Sequence, residues 1–107
     1  MMYPNDANGD ALRRMESEGD DLTRPRSIDF NVIFADENSA EQFAQHFRAL
    51  GHEVSVEATE TKPGYPWDVV VAQRMVPSYD GIVGFESLLQ SVAGRWGGRN
   101  DGWGCFS

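Results

Sequence analysis

The chain has 107 residues, a length that suits a single domain with its own hydrophobic core. Its net charge is −8, and its only cysteine, Cys105, excludes an intramolecular disulfide. No apolar stretch approaches the roughly 20 residues of a membrane span, and no apolar run follows a basic start, so we expect a cytoplasmic protein.

The negative charge is concentrated in the middle of the chain. Residues 27–60 contain seven acidic residues and one basic residue, and so supply six of the eight net negative charges. Such a domain repels the phosphate backbone of nucleic acids, which disfavours direct RNA or DNA binding. The charge favours a basic protein surface as the macromolecular partner. The alternative is that the acidity serves only solubility.

The first half of the chain predicts one helix, one strand and a second helix after a lead-in of residues 1–8. The first helix spans about residues 9–18, buries Leu12 and Met15, and ends at Gly19. A strand follows in which alternate side chains are apolar and buried: Ile28, Phe30, Val32 and Phe34. The second helix starts near Asn38 or Ser39, and its apolar residues recur on one face before Gly51 ends it: Ala40, Phe43, Ala44, Phe47 and Leu50.

The second half predicts two strands, a helix and a final strand. Residues 52–59 form the second strand, whose inward side chains are Val54, Val56 and Ala58. Residues 67–75 form the third strand, whose inward side chains are Val69 and Val71. Ser78 then caps a third helix with the apolar stripe Ile82, Phe85, Leu89, Val92 and Trp96. The last strand covers about residues 100–106.

This order of elements predicts an α+β fold, a ferredoxin-like βαββαβ sandwich with an extra N-terminal helix, in one domain over residues 1–107. Two helices cover one face of the sheet, and the other face is open unless the first helix or a partner covers it. RNA-recognition domains of this fold carry stacking aromatic residues among basic ones on that face. Here the outward positions are mostly acidic or small, which argues against RNA binding: Asp29, Asn31, Glu53, Ser55, Glu57, Asp68 and Ala72.

No group of residues in the sequence points to catalysis, a cofactor or a metal ion. His46, His52 and Cys105 have no ligand-like spacing. A nucleophilic Cys105 needs a nearby base and an electropositive pocket, and a buried structural thiol is the more common case. The glycine-rich run of residues 94–98 follows a helix, whereas a phosphate-binding loop precedes one. We therefore expect a protein without enzymatic activity.

Two features are candidates for contact with a partner. Arg74 ends the third strand, where it either pairs with an outward acid such as Asp29 or Asp68 or meets a partner. Trp103 stands between two glycines, which predicts close approach of another backbone, and it is either a core residue or an interface anchor. We favour the core, with the adjoining Asp-Gly turn open to a partner. The predicted interaction residues are Asp29, Glu53, Glu57, Asp68, Arg74, Asp101, Gly102, Trp103 and Gly104.

The most specific short run in the sequence is Asp101-Gly102-Trp103-Gly104. Looser runs precede it: Gly19-Asp20-Asp21-Leu22, Arg24-Pro25-Arg26, Ile28-Asp29-Phe30, Trp67-Asp68-Val69 and Arg74-Met75-Val76-Pro77. Together, over about residues 9–106, they resemble the ribonuclease E inhibitor family, of the regulator of ribonuclease activity B type. The resemblance implies a ferredoxin-like fold, no enzymatic activity, and binding to an RNA-degrading endoribonuclease whose activity is lowered.

The predicted function is therefore that of a non-catalytic, acidic protein, a monomer or weak homodimer, which binds a basic surface of an endoribonuclease. Two alternatives remain open. One is a small-molecule-sensing or dimerising domain of the same fold, and the other is an immunity-type inhibitor of another nuclease. A pull-down from a cell lysate separates the first of these from the prediction, because a dimerising domain recovers only itself.

Overall fold

The computed structural model describes residues 7–17, 25–60 and 62–105. The elements in these ranges follow in the order α1 (Ala7–Ser17), β1 (Arg26–Phe34), α2 (Glu37–Ala49), β2 (Glu53–Ala58), β3 (Trp67–Met75), α3 (Tyr79–Ala93) and β4 (Arg99–Cys105). A short 3-10 turn, Gly94–Trp96, leads from α3 into β4. The predicted helix stop at Gly19 and the end of the last strand at Phe106 lie outside the described residues. None of the described helices is long and apolar enough to cross a bilayer.

The four strands form one antiparallel sheet in the order β2-β3-β1-β4. The two central strands, β1 and β3, pair along their full nine residues. The hairpin partner β2 lies at one edge, and the last strand returns to the other edge beside β1. This topology confirms the predicted ferredoxin-like α+β fold with an additional N-terminal helix.

All three helices pack on the same face of the sheet. The buried core joins side chains from β1, α1 and α3, among them Phe30, Leu12 and Ile82. The ring of Phe30 meets the ring of Phe85 edge-on, with 4.7 Å between centroids. Because Leu12 belongs to this same core, α1 lies beside α3 and leaves the opposite face of the sheet uncovered by any described helix.

The starts of α2 and α3 are fixed by side-chain caps. The Asp36 carboxylate accepts the backbone N–H of Ser39 at 2.8 Å, so α2 begins at Glu37, slightly earlier than predicted. The predicted cap at the start of α3 is confirmed, because Ser78 Oγ accepts the backbone N–H of Gly81 at 3.1 Å.

The prediction that Leu50 belongs to the buried stripe of α2 was wrong. Leu50 is the C-cap of the helix, with φ −87° and ψ 0°, and its side chain is 62% exposed. The chain leaves the helical path at this residue, so the side chain is no longer directed at the core. Gly51 follows with φ +93°, a left-handed conformation that glycine adopts without strain.

A bulge interrupts β4. Two residues of β4, Asp101 and Gly102, together oppose Asn31 of β1. Gly102 has φ +100°, which only glycine adopts readily. In a regular strand Asn100 and Trp103, three residues apart, would point to opposite faces. The extra residue places both on the helix-covered side of the sheet.

Trp103 is half-buried and packs against the core, in agreement with the role that we favoured from the sequence. Its indole N–H donates to Oδ1 of Asn8 on α1 at 2.8 Å. Asn8 in turn donates to the carboxylate of Glu86 on α3 at 2.7 Å, and Asn100 donates to the other oxygen of that carboxylate at 2.8 Å. These bonds tie α1, α3 and β4 together.

Candidate functional site

The face of the sheet opposite the helices, hereafter the open face, carries side chains in rows that the strand register fixes. The first row crosses all four strands and contains Glu53, Ala72, Asp29 and Gly104. The second contains Ser55, Val70, Asn31 and the β4 bulge. The third contains Glu57, Asp68, Ile33 and Arg99. Arg74 lies beyond the first row, opposite Ser27.

Small residues at the centre of the open face leave a shallow hollow between two acids. Its volume is about 230 Å³, and its lining includes Asp29, Glu53, Ser55, Val70 and Ala72. Asp29 and Glu53 flank the hollow because both pair with Ala72 from neighbouring strands. A hollow with a carboxylate on each side suits the side chain of a lysine or an arginine.

Asp68 lies half-buried in the third row. The amide nitrogen of Asn31 lies 3.1 and 3.3 Å from its two oxygens and donates to the carboxylate. Burial raises the pKa of the Asp68 carboxyl above its usual value, and the negative charges of Asp101 and Glu57 raise this pKa further. The Asn31 hydrogen bond and the charge of Lys62 act in the opposite direction.

The connection between β2 and β3 folds over the third-row end of the open face. Lys62 in this connection forms an ion pair with Asp101 of β4 at 3.2 Å. The guanidinium of Arg99 lies over the Tyr65 ring, 5.8 Å from its centroid. The connection also explains why Ile33, on the open-face side of β1, is only 7% exposed. A second hollow of about 280 Å³ opens between these residues.

The predicted interaction residues do not form one surface. Most of them share the open face: Asp29, Glu53, Glu57, Asp68, Arg74 and Gly104. Asp101 and Gly102 form the β4 bulge at the margin of that face. Trp103 lies on the other side of the sheet, within the helix-covered layer.

The structure does not contain the ion pair that the sequence suggested for Arg74. Asp29, Asp68 and Arg74 are all described, and no ion pair joins Arg74 to either acid. The register gives the reason: Arg74 stands opposite Ser27, whereas Asp68 stands opposite Ile33 at the far end of β3. Asp29 is only a diagonal neighbour of Arg74.

Within the described ranges, no three histidine, cysteine or acidic side chains come together in a way that suits a metal ion. His52 instead makes a structural contact, with its Nε2 2.8 Å from Oε1 of Gln73. Its ring also packs between aromatic rings, 5.5 Å from Phe47 and 5.7 Å from Phe85. Its remaining nitrogen, Nδ1, is buried without a hydrogen-bond partner.

The sequence did not single out four residues as part of the site: Asn31, Lys62, Tyr65 and Arg99. Strand alternation placed Asn31 outward but did not indicate its bond to Asp68. The other three meet because the β2–β3 connection reaches across β1 to β4. No local pattern reports a contact between segments so distant in sequence.

The sequence profile of a family described as regulator of ribonuclease activity B matches residues 5–105 of the chain. The match spans every helix and strand given above, and so includes the whole open face. A comparison with individual curated proteins gave no match. The resemblance seen in the short sequence runs is confirmed, and the chain belongs to the regulator of ribonuclease activity B family.

Proposed function

We propose that this protein is a non-catalytic regulator that binds a basic surface of a cytoplasmic, RNA-degrading endoribonuclease and lowers the activity of that enzyme. Membership of the family supports a role in regulating ribonuclease activity. The observation that carries the choice of surface is the open face, where exposed and half-exposed carboxylates surround small residues. A flat acidic sheet face fits a basic protein partner and repels RNA.

The hollow between Asp29 and Glu53 is the part of the open face that a partner reaches most directly. Within the described chain, no cation forms an ion pair with either carboxylate. At the other end of the face, Lys62 already forms an ion pair with Asp101, and the Arg99 guanidinium lies over the Tyr65 ring. A lysine or arginine of the endoribonuclease therefore binds more favourably at the hollow than at the margin, where Lys62 and Arg99 already place two positive charges.

The proposal is tested by removing the two carboxylates of the hollow without changing side-chain shape. We expect Asp29→Asn with Glu53→Gln to weaken binding of the purified endoribonuclease about tenfold, on the order of 1.4 kcal/mol. Inhibition of RNA cleavage weakens in parallel, and the protein alone cleaves no RNA. Binding is measured by titration calorimetry and cleavage with a fluorescent RNA substrate.

The matched control is Glu37→Gln with Asp80→Asn, which also removes two negative charges, but from the first turns of α2 and α3. This control keeps near-parental binding if the open face is the contact surface. Equal losses for the two double variants would show that only net charge matters. An unchanged affinity for the Asp29 and Glu53 variant would place the contact elsewhere.

A further inference from the structure

The β4 edge of the sheet is covered in part, around Gly98 and Asn100. At β4, the bulge breaks the regular ladder, and the backbone N–H of Asn100 donates to the Gln90 side chain at 2.8 Å. The Gln90 amide also donates to the carbonyl of Gly98 at 3.1 Å. Bulges and covering side chains are common means of preventing another strand from pairing with an edge.

At β2 the backbone geometry shows which groups face outward. The N–H of Thr59 donates to the carbonyl of Pro66 at 2.7 Å, which makes these two residues a hydrogen-bonded pair. Bonded pairs alternate along an antiparallel ladder, and the β2–β3 register is unbroken. The odd-numbered residues of β2 therefore bond to β3, and the backbones of Val54, Val56 and Ala58 point away from the sheet.

An independent contact agrees with this assignment. The guanidinium of Arg48 on α2 donates to the carbonyl of Val54 at 3.0 and 3.3 Å, from the side that faces away from β3. Arg48 thus covers one end of the β2 edge. No described group bonds to the outward N–H and C=O groups of Val56 and Ala58.

The charge beside this edge selects the kind of strand that fits it. Glu53 and Glu57 are exposed on the open-face side of β2, two strand repeats apart. A second copy of β2 would bring carboxylates against carboxylates, which is destabilising. A strand with lysine or arginine at alternate positions would instead place its cations beside both acids.

We propose that β2 is a docking edge for an extended basic segment of the endoribonuclease, which adds a fifth strand to the sheet. The inference rests on the proposed function and deepens it by naming the form of the partner segment. Backbone bonds at Val56 and Ala58 hold the segment, and Glu53 and Glu57 select its charge. Arg48 limits how far the added strand extends toward Val54.

The probe is a blocked six-residue peptide of alternating lysine and valine, added to the isotope-labelled protein of residues 1–107. We expect amide exchange at Val56 and Ala58 to slow by about tenfold or more when the peptide is bound. The amides of Ser55 and Glu57, which bond to β3, are protected with or without peptide and serve as internal controls. Unchanged exchange at Val56 and Ala58 under saturating peptide would overturn the proposal.

N-methylation of the peptide distinguishes strand addition from charge attraction alone. Methylation of the amides on one alternating set abolishes binding, and methylation of the other set leaves binding intact, because only one set faces β2. Equal tolerance of both sets would overturn the proposal. Slow exchange at Val56 and Ala58 in the concentrated protein without peptide would also overturn it, since the occupant would then be a second copy.

Arg48→Gln removes a repelling cation and part of the cover, so we expect the peptide to bind about two- to fivefold more tightly. The matched control, Arg95→Gln in the 3-10 turn, leaves binding unchanged. Weaker binding by Arg48→Gln would contradict the covering role.

An endoribonuclease that binds without protecting Val56 and Ala58 overturns this inference and leaves the proposed function standing. If the peptide protects both amides but the endoribonuclease does not bind, the proposed function is overturned, and β2 remains a docking edge for a basic strand.

Discussion

Among single residues, Asp68 carries a half-buried charge that lowers the stability of the fold, and it lies on the surface that we propose to be functional. Its pKa is raised, chiefly by burial, so the folded state holds the proton more tightly than the unfolded state does. The tighter proton binding adds to the free energy of unfolding. This contribution is fully present below the pKa of the unfolded state and is lost as pH rises through the pKa of the folded state. The charged carboxylate therefore weakens the fold at neutral pH. Sites where charge is kept at the expense of stability are often functional.

We predict that Asp68→Asn melts at a higher temperature than the parent at pH 7. The amide oxygen still accepts the Asn31 hydrogen bond, whereas the penalty for a half-buried charge is gone. The gain disappears below about pH 3.8, the ordinary pKa of aspartic acid, where the parent is protonated in both states. Thermal melting at several pH values measures this difference, with the exposed Glu60→Gln as control. A lower melting temperature at pH 7 would show that the charge stabilises the fold.

At the scale of elements, the junction of α1 with β4 depends on Trp103. We predict that Trp103→Ala lowers the free energy of unfolding by about 3 kcal/mol, the low end for a Trp truncation because the side chain is half-buried. Trp103→Phe keeps most of the apolar contact and loses the bond to Asn8, a cost of about 1 kcal/mol. Denaturant unfolding measures both. Because Trp103 lies on the helix side, Trp103→Phe retains binding to the endoribonuclease. Parental stability combined with lost binding would contradict this assignment.

Most elements were predictable from local patterns, because alternation and helical periodicity report which side chains are buried. The bounds of β3 and the cap at Ser78 were predicted correctly. The exposure of Leu50 was not predicted correctly, because the spacing of apolar residues does not show where a helix ends. Nor was the β4 bulge, which depends on pairing with β1 and decides which face Trp103 occupies. Strand period alone cannot assign a face beyond an inserted residue.

At the scale of the whole molecule, the acidity of the open face predicts salt-sensitive association. Exposed charges are screened over about 8 Å at physiological ionic strength. We predict that the endoribonuclease binds progressively less tightly as salt rises, and that Asp29→Asn with Glu53→Gln shows a shallower dependence. Calorimetric titration at a series of salt concentrations measures both slopes. Constant affinity across the series would indicate an apolar interface instead.

The candidate site was predictable in part. Alternation placed the carboxylates of β1, β2 and β3 on one face, because a side chain's face follows from its position in a regular strand. The contacts that modify these carboxylates were not predictable. Lys62 reaches Asp101, and Arg48 reaches the Val54 carbonyl, only after the sheet order and the helix packing are set.

The two edges of the sheet differ in regularity, because a bulge interrupts β4 whereas the pairing of β2 with β3 is unbroken. A sheet with two extendable edges accepts a strand at each and propagates into a polymer, whereas a sheet blocked on one side stops after a single addition. In the described chain, the bulge at Asp101 and Gly102 and the bonds of Gln90 to Asn100 and Gly98 cover only part of the β4 edge. We expect the complex proposed at β2 to hold one partner segment per chain if only that edge accepts a strand, and to grow further if β4 accepts one as well.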